Sequence, residues 1–291
     1  MKKDVVAGIG EIGKPILKLL SKQNITVGFD LNPDLMDQRK FERYKNLKTS
    51  FLHITIPATG KFINNVLKLY KKFQPECIVI HSTIKPGITE ELQGKLPIPV
   101  IYSATRGVHK RMIYDLKRYT KFFVISANAP RGKWASSRYV KLMKRCGVKT
   151  KKMSKPETLE LAKIICDTSY LGWLVSYAQI SNMIAIQHNV DYDEMWSFSE
   201  EIHKFLGNRP KMFPGYIGGH CIIPNIDLIN NHTLDLIKQM NDMYAKKVPS
   251  SKSIAKKYGI KHILFGTNPQ TEAVMASDWS YGQRDPIYLA D

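Results

Sequence analysis

Cysteine is scarce in this chain, with four residues in 291. Cys77, Cys146, Cys166 and Cys221 stand far apart, without a C-x-x-C pair or a histidine at ligand spacing, which excludes a disulfide framework and a zinc site. No apolar run approaches the roughly 18–20 residues that a membrane span requires. The opening MKKDVVAGIG passes from two lysines into a strand-like segment with no cleavage signature. These absences predict a soluble, cytoplasmic chain with free thiols. Acid is the other shortage: 25 Asp and Glu stand against 44 Lys and Arg, a formal charge of +19. A field of that sign favours anionic partners. The cations form no uninterrupted block, however, and a lysine-rich solvated surface explains the excess as readily as a binding surface does. With no recognition helix carrying interleaved aromatics, no zinc finger and no RNA-binding sheet signature, nucleic acid ranks below a small anionic substrate as the expected partner.

What is present is enough for one large or two medium cores, since 43% of the chain is hydrophobic and 10% aromatic. Short β-branched runs at Asp4–Ala7, Thr26–Phe29, Phe51–Ile56, Cys77–His81, Val100–Tyr102 and Phe122–Ile125 alternate with amphipathic stretches. That alternation predicts an α/β, Rossmann-type, doubly wound parallel sheet over residues 1–154. A long apolar stretch from Leu159 to Ile186 predicts one helix of about seven turns. It opens a mostly helical domain over 155–248, with further helices at Asp191–Phe205 and Leu228–Lys246. Residues 249–291 form a short C-terminal segment with one strand-like run, Lys261–Phe265.

Gly8-Ile9-Gly10-Glu11-Ile12-Gly13 follows the first strand and opens a helix, and Asp30 ends the second strand. Glycines there permit a tight turn and close approach of a pyrophosphate, the helix N-terminus supplies N–H groups, and a carboxylate can accept the ribose hydroxyls. The acid repels a 2′-phosphate, so NAD is the expected cofactor. Glu11 puts a negative charge near the pyrophosphate, which Lys14 can offset. A second cluster, Gly218-Gly219-His220-Cys221, sets an accessible thiol behind glycines, suited to attack on an aldehyde or equally to loop packing. On the long helix Lys163 and Asp167 stand four apart, where they can form an ion pair or present an ammonium to a reacting oxygen.

These pieces, with His81-Ser82-Thr83-Ile84-Lys85-Pro86-Gly87-Ile88-Thr89 and with Glu160-x-x-Lys163 followed by Asn182, occur in an order that resembles the UDP-glucose/GDP-mannose dehydrogenase family over about residues 1–247. The resemblance implies NAD-linked oxidation of a nucleotide-sugar alcohol by two hydride transfers through a thioester. It gives Cys221 the role of nucleophile, Lys163 that of oxyanion partner and Thr83 a place beside the nicotinamide or the water. It also implies a homodimer built on the long helix. Substrate contacts fall by the same resemblance on Gly218, Gly219, Asn225, Thr105 and Arg106. Three positions depart from the family: Thr105 replaces a glutamate, Asp167 an asparagine and Asn225 an aspartate, and the third domain of that family has no counterpart in the sequence. Two further readings stand beside this one. One is a single-hydride β-hydroxyacid dehydrogenase-like enzyme, which also carries a lysine on a long helix and needs no thiol. The other is a catalytically silent NAD-binding module with a basic, anion-binding surface.

Overall fold

The computed structural model describes residues 1–200, 215–218, 222–228 and 231–250. The Gly219–Cys221 part of the cysteine cluster and the strand-like run Lys261–Phe265 lie outside them. The chain divides into two compact units, with the boundary between Lys163 and Ile164.

The first unit is a sheet flanked by helices. In chain order it runs β1 (Lys3–Ala7), α1 (Gly13–Leu20), β2 (Thr26–Phe29), α2 (Gln38–Tyr44), β3 (Thr49–Ile54), α3 (Phe62–Phe73), β4 (Cys77–Ile80), α4 (Ile88–Lys95) and β5 (Val100–Tyr102). It continues with α5 (Met112–Arg118), β6 (Lys121–Ile125), α6 (Gly132–Arg145), β7 (Thr150–Lys152) and α7 (Pro156–Leu161). Strands β1, β3 and β4 are buried along their whole length, and β4, Cys77–Ile80, is apolar throughout. One face packs Ile16 and Leu20 of α1 with Tyr139 and Leu142 of α6, and the other packs Phe62 and Val66 of α3 with Leu92 of α4.

The strand order is β2-β1-β3-β4-β5-β6-β7. The first five strands are mutually parallel, as expected, but β6 runs antiparallel to β5 with Tyr102 opposite Val124, and β7 is parallel to β6. The expected doubly wound parallel sheet is present, with one antiparallel step toward this edge. The seven residues of α5 rise only about 10 Å, and the chain enters β6 two residues later. The chain turns back after α5, so β6 starts at the end of the sheet where β5 finished. The short edge strand β7, polar and basic, carried no alternating signal.

The expected long helix is an unbroken helical run from Pro156 to Gln187, but not α-helical throughout. A π-helical stretch, Ala162–Ser169, spans the unit boundary after α7, and α8 (Tyr170–Gln187) follows. The Ser169 hydroxyl donates to the carbonyl of Ile164 at 2.8 Å, five residues back, which supports the wider turn. Then come α9 (Tyr192–Ser197), a short α10 (Ile223–Ile226) and α11 (His232–Lys247), which starts four residues after its expected beginning. The core of the second unit joins Val175 and Ala178 of α8 to Ile217, Ile222, Ile226 and Ile237. Gly172 permits the contact, since a Cβ there would lie 3.1 Å from both Ile222 and Ile237.

Candidate functional site

The strand order reverses between β1 and β3, so a crevice opens at their C-terminal ends, where ligands of open α/β sheets bind. The glycine turn sits there. Gly8 takes φ +94°, a left-handed conformation that a side chain would strain. A Cβ at Gly13 would stand 1.7 Å from the carbonyl oxygen of Gly8, so only glycine lets α1 start against that backbone. Gly10 differs from both: nothing lies within 4 Å of the Cβ it lacks. Its missing side chain leaves open space outside the turn.

Asp30, at the end of β2, closes the turn from the other side. Its Oδ2 accepts the Ile9 N–H at 2.6 Å and its Oδ1 the Asn32 N–H at 2.9 Å. Each oxygen keeps a further lone pair for a hydroxyl donor. Sequence reasoning missed Thr55, which follows β3. Its hydroxyl bonds the carbonyls of Ala7 (2.8 Å) and Gly8 (2.6 Å), tying β3 to the turn. Open space at Gly10, the N-terminus of α1 and the acid at β2 together fit a dinucleotide. Glu11 and Lys14 are both exposed at the start of α1.

Farther along the same sheet edge lies a second group of polar residues. The loop after β4 holds Thr83, half-buried, and ends at Gly87 with φ +92°. Helix α4 has no side-chain cap of its own. The buried Glu160 of α7 supplies one: its carboxylate accepts from the N–H of Gly87 (2.7 Å) and from the N–H (3.0 Å) and hydroxyl (2.5 Å) of Thr89. The residue pair Glu160 and Lys163 is thereby anchored to the Thr83 loop.

Beside it, the antiparallel turn-back of β6 delivers Lys121 to the C-terminal end of β5. Its buried ammonium donates all three protons, to the carbonyls of Ser103 (2.9 Å) and Ala104 (3.1 Å) and to the Thr105 hydroxyl (3.2 Å). Thr105 therefore serves as an acceptor for a lysine. Burial, with the nearby positive charges of Arg106 and Lys163, pushes the Lys121 pKa down to about 7. Arg106 lies over the Phe122 ring at 5.2 Å and donates to the Thr120 carbonyl at 2.8 Å. Thr105, Arg106 and Lys163, named separately from sequence, are thus grouped around a residue that sequence reasoning did not single out.

A buried pair of histidines continues the polar string. His81 Nδ1 lies 3.2 Å from the Ser103 carbonyl, which can only accept, so that nitrogen carries the proton. His81 Nε2, 2.9 Å from His53 Nδ1, is then the acceptor, and the lone pair of His53 Nε2 has no partner among the described residues. Burial and the Lys121 charge keep both rings neutral, with the His53 pKa down at about 3.

In the second unit Asp167 lies on the π-helical stretch, half-buried. Gly218 and Asn225 flank the undescribed residues that include Cys221. The segment Gly215–Gly218 is held by two residues not anticipated from sequence. Asn241 of α11 accepts the Ile217 N–H (2.7 Å) and donates to the Ile217 carbonyl (2.9 Å), and Gln179 of α8 donates to the Gly215 carbonyl (2.9 Å) and to Asn241 (3.1 Å). Asn182 donates to the Tyr244 hydroxyl at 3.0 Å. Lys238 is paired with Asp227 and Asp235 and belongs to the local surface. Among the described residues no group of acids, histidines and cysteines could hold a metal, and no helix is long and apolar enough to cross a membrane.

A seven-stranded, mostly parallel sheet with a glycine turn at its switch point and helices on both faces defines a Rossmann-type, dehydrogenase-like fold. Solved structures that share it include the UDP-D-ManNAc dehydrogenase of Pyrococcus horikoshii, with TM-score 0.69 and 18% identity over 88% of this chain and 72% of that one. The UDP-glucose dehydrogenase of Pyrobaculum islandicum is similar at TM-score 0.63 and 15% identity, over 89% and 72%. So is the 3-hydroxyisobutyrate dehydrogenase of Mycobacterium tuberculosis, at TM-score 0.60 and 13% identity, over 86% of this chain and 95% of that one. No protein-family model and no curated protein sequence matches the chain.

Proposed function

We propose that the protein is an NAD-dependent oxidoreductase acting on a CH–OH group of a small anionic substrate, a nucleotide sugar or related sugar alcohol. The observation that carries this reading is the contrast among the three glycines. Gly8 and Gly13 are required by the fold of the turn, whereas Gly10 is required by nothing in the protein and faces open space. Gly8, Gly10, Ile12 and Gly13 with the N-terminus of α1 would cradle the pyrophosphate, and Asp30 would accept the ribose hydroxyls and disfavour NADP. When bound, NAD supplies the hydride acceptor.

The remaining roles belong to this chain's own residues. Lys163 stabilises the substrate oxygen as it loses its proton, and Thr83 lines the reacting edge from the loop that Glu160 holds. Arg106 and Lys163 bring positive charge for an anionic substrate, while Lys121 positions Thr105. If the full alcohol-to-acid reaction is retained, the Cys221 thiolate adds to the aldehyde carbon, a second NAD would, when bound, supply the acceptor for the hydride lost as the thiohemiacetal becomes a thioester, and water releases the acid. Thr105 and Asn225 stand where the UDP-glucose/GDP-mannose dehydrogenase family carries carboxylates for the hydrolytic half, and Asp167 adds a carboxylate four residues after Lys163. Gly218 and Gly219 leave room for substrate beside the thiol. Self-association through α8 accounts for its exposed Tyr170, Trp173, Tyr177 and Ile184 and makes a homodimer the proposed assembly in the cytoplasm.

The alternative of a single hydride transfer on a β-hydroxyacid, without the thiol, is favoured by one observation. The shared fold spans 95% of the hydroxyisobutyrate dehydrogenase but 72% of the nucleotide-sugar dehydrogenases named above. NADH formed per substrate consumed, measured with UDP-sugars, GDP-sugars and 3-hydroxy acids, separates the two. Two NADH from a nucleotide sugar, falling to one or none in Cys221→Ser, supports the thioester route. One NADH from a hydroxy acid, unchanged in that variant, replaces it with the alternative. No NADH from any substrate, with NAD still bound, leaves the NAD-binding module.

A further inference from the structure

The charge excess, which reads as dispersed along the chain, is concentrated in one part of the first unit. Residues 106–155 carry sixteen Lys and Arg and a single acid, Asp115, so fifty residues hold 15 of the formal +19. That one acid is buried and already accepts from the Val108 N–H at 2.8 Å and from Arg111 at 3.1 Å. From Leu116 to Pro156 there is no carboxylate at all.

The fold places several of these cations on α6 and β7. Lys133, Arg138, Lys141 and Lys144 are exposed on α6, and Lys151 and Lys152 are exposed on β7, the last strand of the sheet order. Between α6 and β7 runs a groove of about 430 Å³, with Ser136, Ser137 and Thr150 beside Lys141 and Lys152. The Ser136 hydroxyl in it has no partner among the described residues. Lysine on an edge strand guards against strand pairing, but that need does not extend to α6. There Arg138 and Lys141, and Lys141 with Lys144 and Arg145, are like charges three or four residues apart, each such pair costing a few tenths of a kcal/mol.

We infer that this α6–β7 face is a binding surface for the phosphate backbone of nucleic acid. Hydroxyls between lysines suit phosphate oxygens. An anionic membrane is the weaker match, because Tyr114 is the only exposed large apolar residue described between 106 and 155. The surface lies at the β7 end of the sheet, away from the glycine turn, and the inference does not rest on the dehydrogenase reading.

Fluorescence anisotropy with a random-sequence 24-base-pair DNA duplex tests it. The fourteen residues of α6 span about 21 Å, room for roughly five phosphate contacts, so log K should fall with log salt at a slope of about −4 to −5. At physiological salt the Kd should be tighter than about 10⁻⁵ M. Replacing Lys133, Lys141, Lys144, Lys151 and Lys152 by Gln should weaken binding by about a hundredfold or more and flatten the slope to about −1 or less. Melting and NAD binding should not change. A matched set of Gln replacements at Lys48, Lys61, Lys68, Lys71 and Lys95 should leave binding intact. Equal losses in the two variants, or a wild-type Kd weaker than about 10⁻⁴ M at physiological salt, would overturn the inference. So would tighter binding to phosphatidylserine vesicles than to DNA at equal phosphate.

Discussion

Two stretches of one sheet edge do different kinds of work. Around the glycine turn most constraints are local: Gly8, Gly13 and Asp30 meet within about twenty residues of sequence, Thr55 adds one tie from β3, and a single added carbon at Gly13 would strike backbone. Around Lys121 the constraints come from far apart, since strands β4 and β5 and the π-helical stretch after α7 bring His81, Thr105 and Lys163 to a cation that enters on an antiparallel strand. The first stretch is specified by shape and the second by charge. Steric changes should therefore break the one, and changes of pH the other.

The largest effect should come from Gly13→Ala. Its Cβ would meet a carbonyl oxygen that cannot move without dragging β1, so the loss should reach about 3 kcal/mol or more, read from the urea midpoint. Glu160→Leu should rank next, at about 2–3 kcal/mol, because the Gly87 and Thr89 N–H groups lose their acceptor. It should also lower kcat, by freeing the Thr83 loop, more than it raises KM.

Lys121→Met sharpens the electrostatic side. The unfolded chain holds this proton up to its ordinary value of 10.5, whereas the folded protein releases it near 7. Between those values the unfolded state binds more protons, so wild-type stability should rise with pH from about 7 upward. Urea midpoints for the variant should lack that rise. If they keep it, Lys121 is not the buried cation of this region. The smallest effect should be His53→Phe. The folded His53 stays neutral down to about 3 while its unfolded form protonates near 6.5, so wild-type stability should fall as pH drops below about 6.5. The variant should lose part of that fall.

This contrast also separates what the sequence made legible. The glycine turn, its acid and the positions of all six expected strands emerged from spacing because they depend on neighbours in the chain. The reversal of β6 did not, since nothing local distinguishes an antiparallel return from a crossover. Lys121 looked like any of 44 cations, and only its burial beneath Ser103, Ala104 and Thr105 sets it apart. Asn241 lies 24 residues beyond Ile217 on another helix, so its hold on the segment before the cysteine loop could not be read from spacing. The π-helical turns under Lys163 and Asp167 fall inside an apolar pattern that an unbroken α-helix would also show.

Calorimetric titration of NAD into the wild type and into Gly10→Ala is the most direct test of the turn as a dinucleotide site. A Cβ at Gly10 meets nothing in the protein, so the variant should melt with the wild type while binding NAD at least about tenfold more weakly, a loss of about 1.4 kcal/mol. The wild type should prefer NAD to NADP. Failure of the wild type to bind NAD, or equal binding by the variant, would contradict the account.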